Sequence, residues 1–203
     1  PGGHPVGTFC VYDTEPRRLS AKDRATFGEL AAWAQREIQS SDDLKRASEV
    51  QHLLMPPPVE GLPGYTVATL FEPAFAVAGD FYDHYPVPGG INLTVADVMG
   101  KGLGAAIVAA NVRSALRAAS GAFDQAGHAL DLSAAIGSVD HQLSDDLTRT
   151  DTFVTLFQAW LDTATGTVNF IDAGHGIAAL VRRTGEIEEL SSDDLALGIS
   201  FGE

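Results

Sequence analysis

Apolar residues recur every three or four positions between residues 21 and 55, and this spacing predicts a helix. Ser20 followed by Asp23 is typical of a helix start, because the hydroxyl and the carboxylate can cap free backbone N–H groups. Prolines 56–58 predict a sharp end, since proline lacks the N–H donor and favours extended backbone. One long helix, or two helices joined near residues 40–43, would explain the pattern.

The rest of the chain carries shorter apolar or alternating runs separated by glycine and proline, which is typical of strands and turns. Helices are predicted from residue 102 to 119, and from Asp131 or Ser133 to about residue 147. Antiparallel hairpins with a helix pair between them predict an α+β fold, with sheet packed on sheet and helices outside. The predicted strands are 6–12, 65–71, 81–87, 91–96, 152–162, 167–171, 177–183 and 186–190.

Two carboxylates flank the central predicted hairpin. Asp80 directly precedes the strand 81–87, and Asp97 directly follows the strand 91–96, so both lie at the end away from the turn. Opposite residues of antiparallel strands are close neighbours. Converging carboxylates repel each other unless a cation lies between them, and hard divalent cations prefer oxygen ligands. The pattern predicts a magnesium or manganese site, although aspartates that only cap strands or turns would look the same.

Charge and cysteine content argue against several kinds of partner and site. The 13 basic and 27 acidic residues give a net charge of −14, which argues against nucleic acid or an anionic membrane as partner. Cys10 is the single cysteine, so it forms no internal disulfide and has no Cys-x-x-Cys partner for zinc. No apolar run reaches transmembrane length, and the first residues lack the regions of a signal peptide. A cytoplasmic location is expected.

The segments Ala78-Gly-Asp-Phe-Tyr-Asp83 and Ala96-Asp-Val-Met-Gly-Lys-Gly102 resemble the two signature motifs of bacterial PPM-type serine/threonine phosphatases, the SpoIIE/RsbU group. Ala78, Met99 and Gly176 differ from the commonest residues of that group. The resemblance implies an antiparallel β-sandwich flanked by helix pairs. Residues 51–56, 71–74, 172–175 and 195–198 resemble further landmarks of the group in the same order.

The resemblance also implies a mechanism in which metal ions activate a water molecule, so that no nucleophilic side chain is needed. Asp80 and Asp97 would be the catalytic residues and would bridge two Mn²⁺ or Mg²⁺ ions, with the backbone carbonyl of Val98 as a further ligand. Lys101 would either contact phosphate or remain solvated. Asp83 is expected to support the site from behind or to cap its strand.

His175 is expected to be structural rather than catalytic, because it lies in a turn flanked by glycines. Members of the group continue with a Thr-Asp-Gly motif and a later aspartate that complete the metal site, and this sequence contains neither beyond residue 198. The phosphatase fold is therefore expected to be incomplete at its C-terminus. Weak metal binding and little or no activity follow, because two carboxylates alone hold two cations poorly.

The resemblance predicts a protein phosphatase of bacterial stress and sigma-factor signalling, acting on phosphoserine or phosphothreonine of an anti-sigma-factor antagonist. The alternative is a non-catalytic, dimerising signalling scaffold with a degenerate phosphatase fold. Either way a homodimer is expected.

The domain organisation predicted from the sequence has three parts. Residues 1–39 resemble the last strand and helix of a GAF sensory domain, although a helical appendage of the catalytic domain would also fit. Residues 40–56 would form a helical linker, and residues 57–203 a truncated phosphatase domain.

Overall fold

The computed structural model of the protein describes residues 7–124 and 131–199. The chain divides into two compact units, Pro1–Arg46 and Ala47–Glu203. No helix among the described residues is long and apolar enough to cross a membrane. In chain order the elements are α1 (Ala21–Leu54), β1 (Phe81–Val87), β2 (Gly90–Val98), α2 (Leu103–Asp124), α3 (Leu132–Arg149), β3 (Val154–Asp162), β4 (Val168–Ala173), β5 (Ala178–Val181) and β6 (Ile187–Leu190).

Helix α1 is one continuous helix, which settles the choice between one helix and two. Its start is the predicted capping box: the Asp23 N–H donates to Ser20 Oγ at 3.1 Å, and the Ser20 N–H donates to Asp23 Oδ2 at 2.8 Å. The helix ends at Leu54, just before the three prolines, as predicted.

Two predicted strands are not found. Residues 7–12, the described part of the first, and residues 65–71 have no strand structure. Alternation of side chains makes a strand possible, but a strand forms only when its backbone finds a hydrogen-bonding partner. No described segment pairs with either stretch. Val6, at the start of the first predicted strand, lies outside the described residues, as do His4 and His128.

The three predicted hairpins are confirmed. Strands β1 to β4 form an antiparallel sheet in the order β1-β2-β3-β4, and β5 pairs with β6 in a separate two-stranded sheet. In the central hairpin Phe81 pairs with Ala96 and Val87 with Gly90. This register places the turn at one end of the hairpin and the two predicted carboxylates at the other.

The predicted helix pair covers one face of the sheet, where α2 contacts β1 and β2 and α3 contacts β4. Asp131 caps α3, since its Oδ1 accepts from the Ala134 N–H at 3.0 Å. The α+β fold with an antiparallel sheet flanked by a helix pair is thereby confirmed. Apolar side chains of the strands and of the two helices fill the core between the layers. From the strands they include Phe81, Ala96, Val98, Val154 and Leu156, and from α2 and α3 Val112, Leu116, Val139 and Leu143.

Candidate metal centre

Asp80 and Asp97 lie side by side at the open end of the central hairpin. The Phe81–Ala96 pair is the last of the β1–β2 ladder, so the two aspartates are neighbours one position further on. Desolvation raises the pKa of Asp97, and a hydrogen bond to Asp80 and the negative charge of Asp80 raise it further, against the opposing effect of His175. A carboxylate whose ionisation is disfavoured by an adjacent carboxylate belongs to a site suited to a cation.

The third predicted ligand, the carbonyl of Val98, is close to the same place. A Cβ atom added to Gly79 would lie only 2.8 Å from the Val98 oxygen, so the backbone that leads into Asp80 passes directly against this carbonyl. Only glycine permits such an approach. The three residues predicted as metal ligands are therefore brought together, and their binding of metal stays a prediction.

Gln51 fixes the segment that carries Asp80. Its side-chain amide donates from Nε2 to the Ala78 carbonyl at 2.7 Å and accepts from the Ala78 N–H at 3.0 Å. This two-way bond satisfies both backbone groups of a residue that has no strand partner. The sequence showed Gln51 only as part of a motif and gave no indication of its contact.

The two carboxylates open into a cleft of about 460 Å³. One wall is aromatic: the rings of Phe71 and Tyr82 lie 6.2 Å apart, edge to face. His175 and Ile177, after β4, contribute to the lining from another part of the chain. The cleft therefore combines a polar floor with apolar walls, which is the usual composition of a small-ligand site.

Asp83 is not at this site, contrary to the expectation that it supports the site or caps the strand. Its side chain is only 3% exposed and accepts from Arg117, with Nε to Oδ2 at 2.6 Å and Nη2 to Oδ1 at 2.7 Å. Arg113 Nε lies 3.2 Å from Oδ2 as well. Both arginines are on α2, so Asp83 anchors the helix to the sheet.

Lys101 is placed over an aromatic ring rather than among the residues that line the cleft. Its Nζ lies 5.6 Å from the ring centroid of Phe75, a cation–π geometry. Lys101 is exposed, in agreement with the solvated alternative, and its contact with phosphate stays a prediction.

His175 lines the cleft, which the sequence did not predict. Its Nδ1 lies 3.1 Å from Thr155 Oγ1, and its backbone N–H donates to Asp172 Oδ1 at 2.7 Å. Gly176 donates its N–H to the same carboxylate. An aspartate three residues before a histidine, with glycine on both sides of that histidine, is a local signal for such a capped turn.

An antiparallel sheet faced by a helix pair, with adjacent carboxylates beside a cleft at the sheet's edge, defines the class of PP2C-like, PPM-type phosphatase domains. The family Stage II sporulation protein E (SpoIIE) matches residues 88–202, more than half of the chain, and the chain belongs to this family. The resemblance noted from the motifs is thereby confirmed.

Similar proteins agree with this assignment. Protein IcfG of Synechocystis sp. is 27% identical over an alignment of 180 residues. The match covers 77% of this chain and 28% of IcfG, so the chain spans less than a third of that relative. The SiaA-PP2C domain of Pseudomonas aeruginosa superposes with a TM-score of 0.65 at 26% identity, over 81% of this chain and 64% of that one. The RsbU and RsbW domains of Rv1364c from Mycobacterium tuberculosis superpose with a TM-score of 0.51 at 26% identity, over 62% of this chain and 33% of that one.

PP2C-type phosphatases depend on Mn²⁺ or Mg²⁺, and the donor set at the hairpin end fits such an ion. Asp80, Asp97 and the Val98 carbonyl offer only oxygen, the donor that these hard cations prefer. Among the described residues no group of three or more His, Cys, Asp or Glu side chains is arranged to hold a metal ion. The site described is therefore a carboxylate pair with a backbone carbonyl beside it.

Proposed function

We propose that the protein is a metal-dependent serine/threonine phosphatase whose site is the Asp80–Asp97 pair. The observation that carries this proposal is that these two carboxylates lie next to each other, one position beyond the last β1–β2 pair, at the cleft of a PP2C-like fold. Mn²⁺ or Mg²⁺, when bound, supplies an activated water and positive charge for the phosphoryl oxygens. Asp80 and Asp97 would hold the ions, and the Val98 carbonyl would add a neutral oxygen.

The cleft suits the phosphorylated side chain of a protein. Its floor is anionic, so a phosphate group enters only when cations neutralise the carboxylates. Its aromatic and aliphatic walls, among them Phe71, Tyr82 and Ile177, give apolar contact to the residues that flank a phosphoserine or phosphothreonine. By resemblance to the RsbU group, the substrate would be an anti-sigma-factor antagonist.

A homodimer formed through α1 is part of the proposal. None of the described side chains of α1 is buried. Leu30, Trp33 and Ile38 are 48%, 58% and 44% exposed, although apolar side chains at helical spacing usually pack against something. A second copy of the helix would cover them. The GAF-like identity of residues 1–39 stays a prediction.

The alternative is a dimerising scaffold without catalytic activity. Its support is that, in the described part of the chain, the two carboxylates have no third acidic or histidine side chain beside them to complete a metal site. The two proposals differ in one measurable property, metal-dependent hydrolysis of a phosphate ester.

The test is hydrolysis of an aryl phosphate by the purified full-length protein with and without Mn²⁺. We expect Asp80→Asn and Asp97→Asn each to lower the metal-dependent rate about 100-fold or more, because loss of a ligand should exceed the 10–100-fold effect of losing a residue that only supports one. Asp145→Asn, an exposed carboxylate on α3, serves as the control. A folded wild type that hydrolyses neither the aryl phosphate nor a phosphoprotein would support the scaffold. Metal-dependent turnover that survives both site substitutions would exclude this pair as the site.

A further inference from the structure

A row of polar side chains crosses the edge of the sheet from the carboxylate pair to the turn after β4. Asp97 on β2 is paired with Thr155 on β3 in the ladder. Thr155 Oγ1 is in turn 3.1 Å from Nδ1 of His175. Asp97 and His175 also line the same cleft. Thr155 thus links the histidine to the proposed metal site.

The turn that carries His175 is rigidly held. Asp172 is 2% exposed, and its carboxylate accepts from the His175 N–H at 2.7 Å and from the Gly176 N–H at 3.0 Å. Gly174 has φ of +73°, a backbone conformation that favours glycine, and it pairs with Leu156 of β3. These contacts fix the position of the imidazole before any ligand binds.

The second ring nitrogen of His175 has no hydrogen-bond partner among the described residues, and it is closed to solvent. An unpaired buried nitrogen is costly, so a partner is expected when the site is complete. A substrate phosphate is a poor candidate because the nitrogen is not open to the cleft. Direct metal ligation is also disfavoured, since His175 does not group with the aspartates as a ligand set. Asp97 is paired with Thr155 in the ladder and lines the same cleft as His175, and its carboxylate oxygens can accept a hydrogen bond.

We propose that His175 is a positioning residue that donates its Nε2–H to the carboxylate of Asp97 when the metal site is filled. The inference rests on the proposed function. In this proposal the Thr155 hydroxyl, 3.1 Å from Nδ1, is the donor, so that the ring proton of the neutral imidazole is on Nε2. When the site is filled, one carboxylate oxygen of Asp97 would hold the cation and the other would accept from His175, the arrangement that commonly orients metal ligands.

The test measures Mn²⁺ affinity directly, without reference to turnover. We expect His175→Ala to weaken Mn²⁺ binding about 10- to 100-fold, the usual effect of removing a group that orients a metal ligand. His175→Gln, which keeps an N–H donor, should recover most of that loss. Thr155→Val should give a smaller loss, because it frees the ring tautomer and leaves the imidazole in place. His141→Ala, an exposed histidine on α3, is the matched control and should bind as the wild type does.

A long-range proton–nitrogen NMR spectrum of the histidine rings gives a second readout, with Mg²⁺ as the diamagnetic ion. The proposal expects the Nε2–H tautomer for His175 and a shift of that proton on Mg²⁺ addition. Circular dichroism shows whether each variant is folded. If His175→Ala does not fold, the Mn²⁺ affinity of Thr155→Val is the test of the proposal. Wild-type Mn²⁺ affinity in folded His175→Ala, or the Nδ1–H tautomer, would overturn the proposal.

The outcomes also separate this inference from the proposed function. If Asp97→Asn abolishes Mn²⁺ binding and His175→Ala does not weaken it, the metal site stands and only the role of His175 is wrong. If the wild type binds no Mn²⁺, both fail together.

Discussion

Two arginine–carboxylate pairs in this protein have the same length but differ in burial. Arg117 Nε lies 2.6 Å from Asp83 Oδ2, and Arg182 Nη2 lies 2.6 Å from Glu188 Oε2. The Asp83 side chain is 3% exposed, whereas Arg182 and Glu188 are 54% and 53% exposed. Replacing each acid by its amide, Asp83→Asn and Glu188→Gln, therefore compares a buried carboxylate that pairs with two arginines with an exposed carboxylate that pairs with one.

The structure predicts a large difference between the two substitutions. Asp83→Asn leaves Arg113, only 14% exposed, with a charge that nothing compensates. Breaking a buried pair costs about 3–5 kcal/mol, and we expect the lower end, about 3 kcal/mol, because Arg117 is 40% exposed and can be hydrated. Glu188→Gln should cost less than about 1 kcal/mol, as exposed pairs do. In a chain of this size the buried change corresponds to a fall in Tm of about 6–12 °C.

The assay is urea unfolding followed by tryptophan fluorescence. Trp160 lies in β3 and reports on the sheet, whereas Trp33 lies on α1, so a Trp33→Phe background confines the signal to the second unit. If Asp83→Asn lowers the free energy of unfolding by less than about 1 kcal/mol, as Glu188→Gln is expected to do, the argument that burial makes the Asp83 pairs more stabilising is refuted. Adding Arg113→Met to Asp83→Asn should recover part of the loss, because it removes the unpaired buried charge.

Three further predictions concern other contacts. Gly79→Ala would place a Cβ 2.8 Å from the Val98 oxygen, so we expect a loss of about 1–3 kcal/mol in unfolding free energy, whereas Gly104→Ala, with open space in α2, should gain up to about 1 kcal/mol. Asp131→Ala should cost about 1 kcal/mol by removing the cap of α3, measured by urea unfolding. Desolvation lowers the pKa of His84 in the folded protein. As the pH falls below about 6.5, the unfolded chain therefore protonates this histidine before the folded protein does, and stability decreases until the pH reaches the lowered folded pKa. The variant His84→Gln should flatten this pH dependence, measured as the urea midpoint.

Features that depend on neighbours in sequence could be predicted. The capping box at Ser20 and Asp23 and the cap at Asp131 each join atoms three residues apart, so the sequence contains the whole interaction. The central hairpin is similar, because its turn fixes its register and hence places Asp80 beside Asp97. The family resemblance then led to the prediction that Asp80 and Asp97 bind metal ions.

Features that depend on distant partners could not be predicted. Residues 65–71 alternate like a strand, but alternation says nothing about whether a partner backbone is available. Asp83 finds its arginines 30 and 34 residues along the chain, and His175 finds Thr155 at a separation of 20. Only the folded sheet and the helix above it bring these side chains together.

The segment 80–83 shows how one short motif serves two layers of the protein. Side chains alternate between the faces of a strand, so Asp80 and Tyr82 line the cleft while Phe81 and Asp83 face the helices. Two aspartates three positions apart must therefore lie on opposite faces. This predicts separable effects: Asp80→Asn should abolish metal-dependent hydrolysis with little change in unfolding free energy. Asp83→Asn should lower that free energy while Mn²⁺ affinity in the protein that remains folded stays close to that of the wild type. If both variants lose metal-site function and unfolding free energy to the same extent, this division of roles is contradicted.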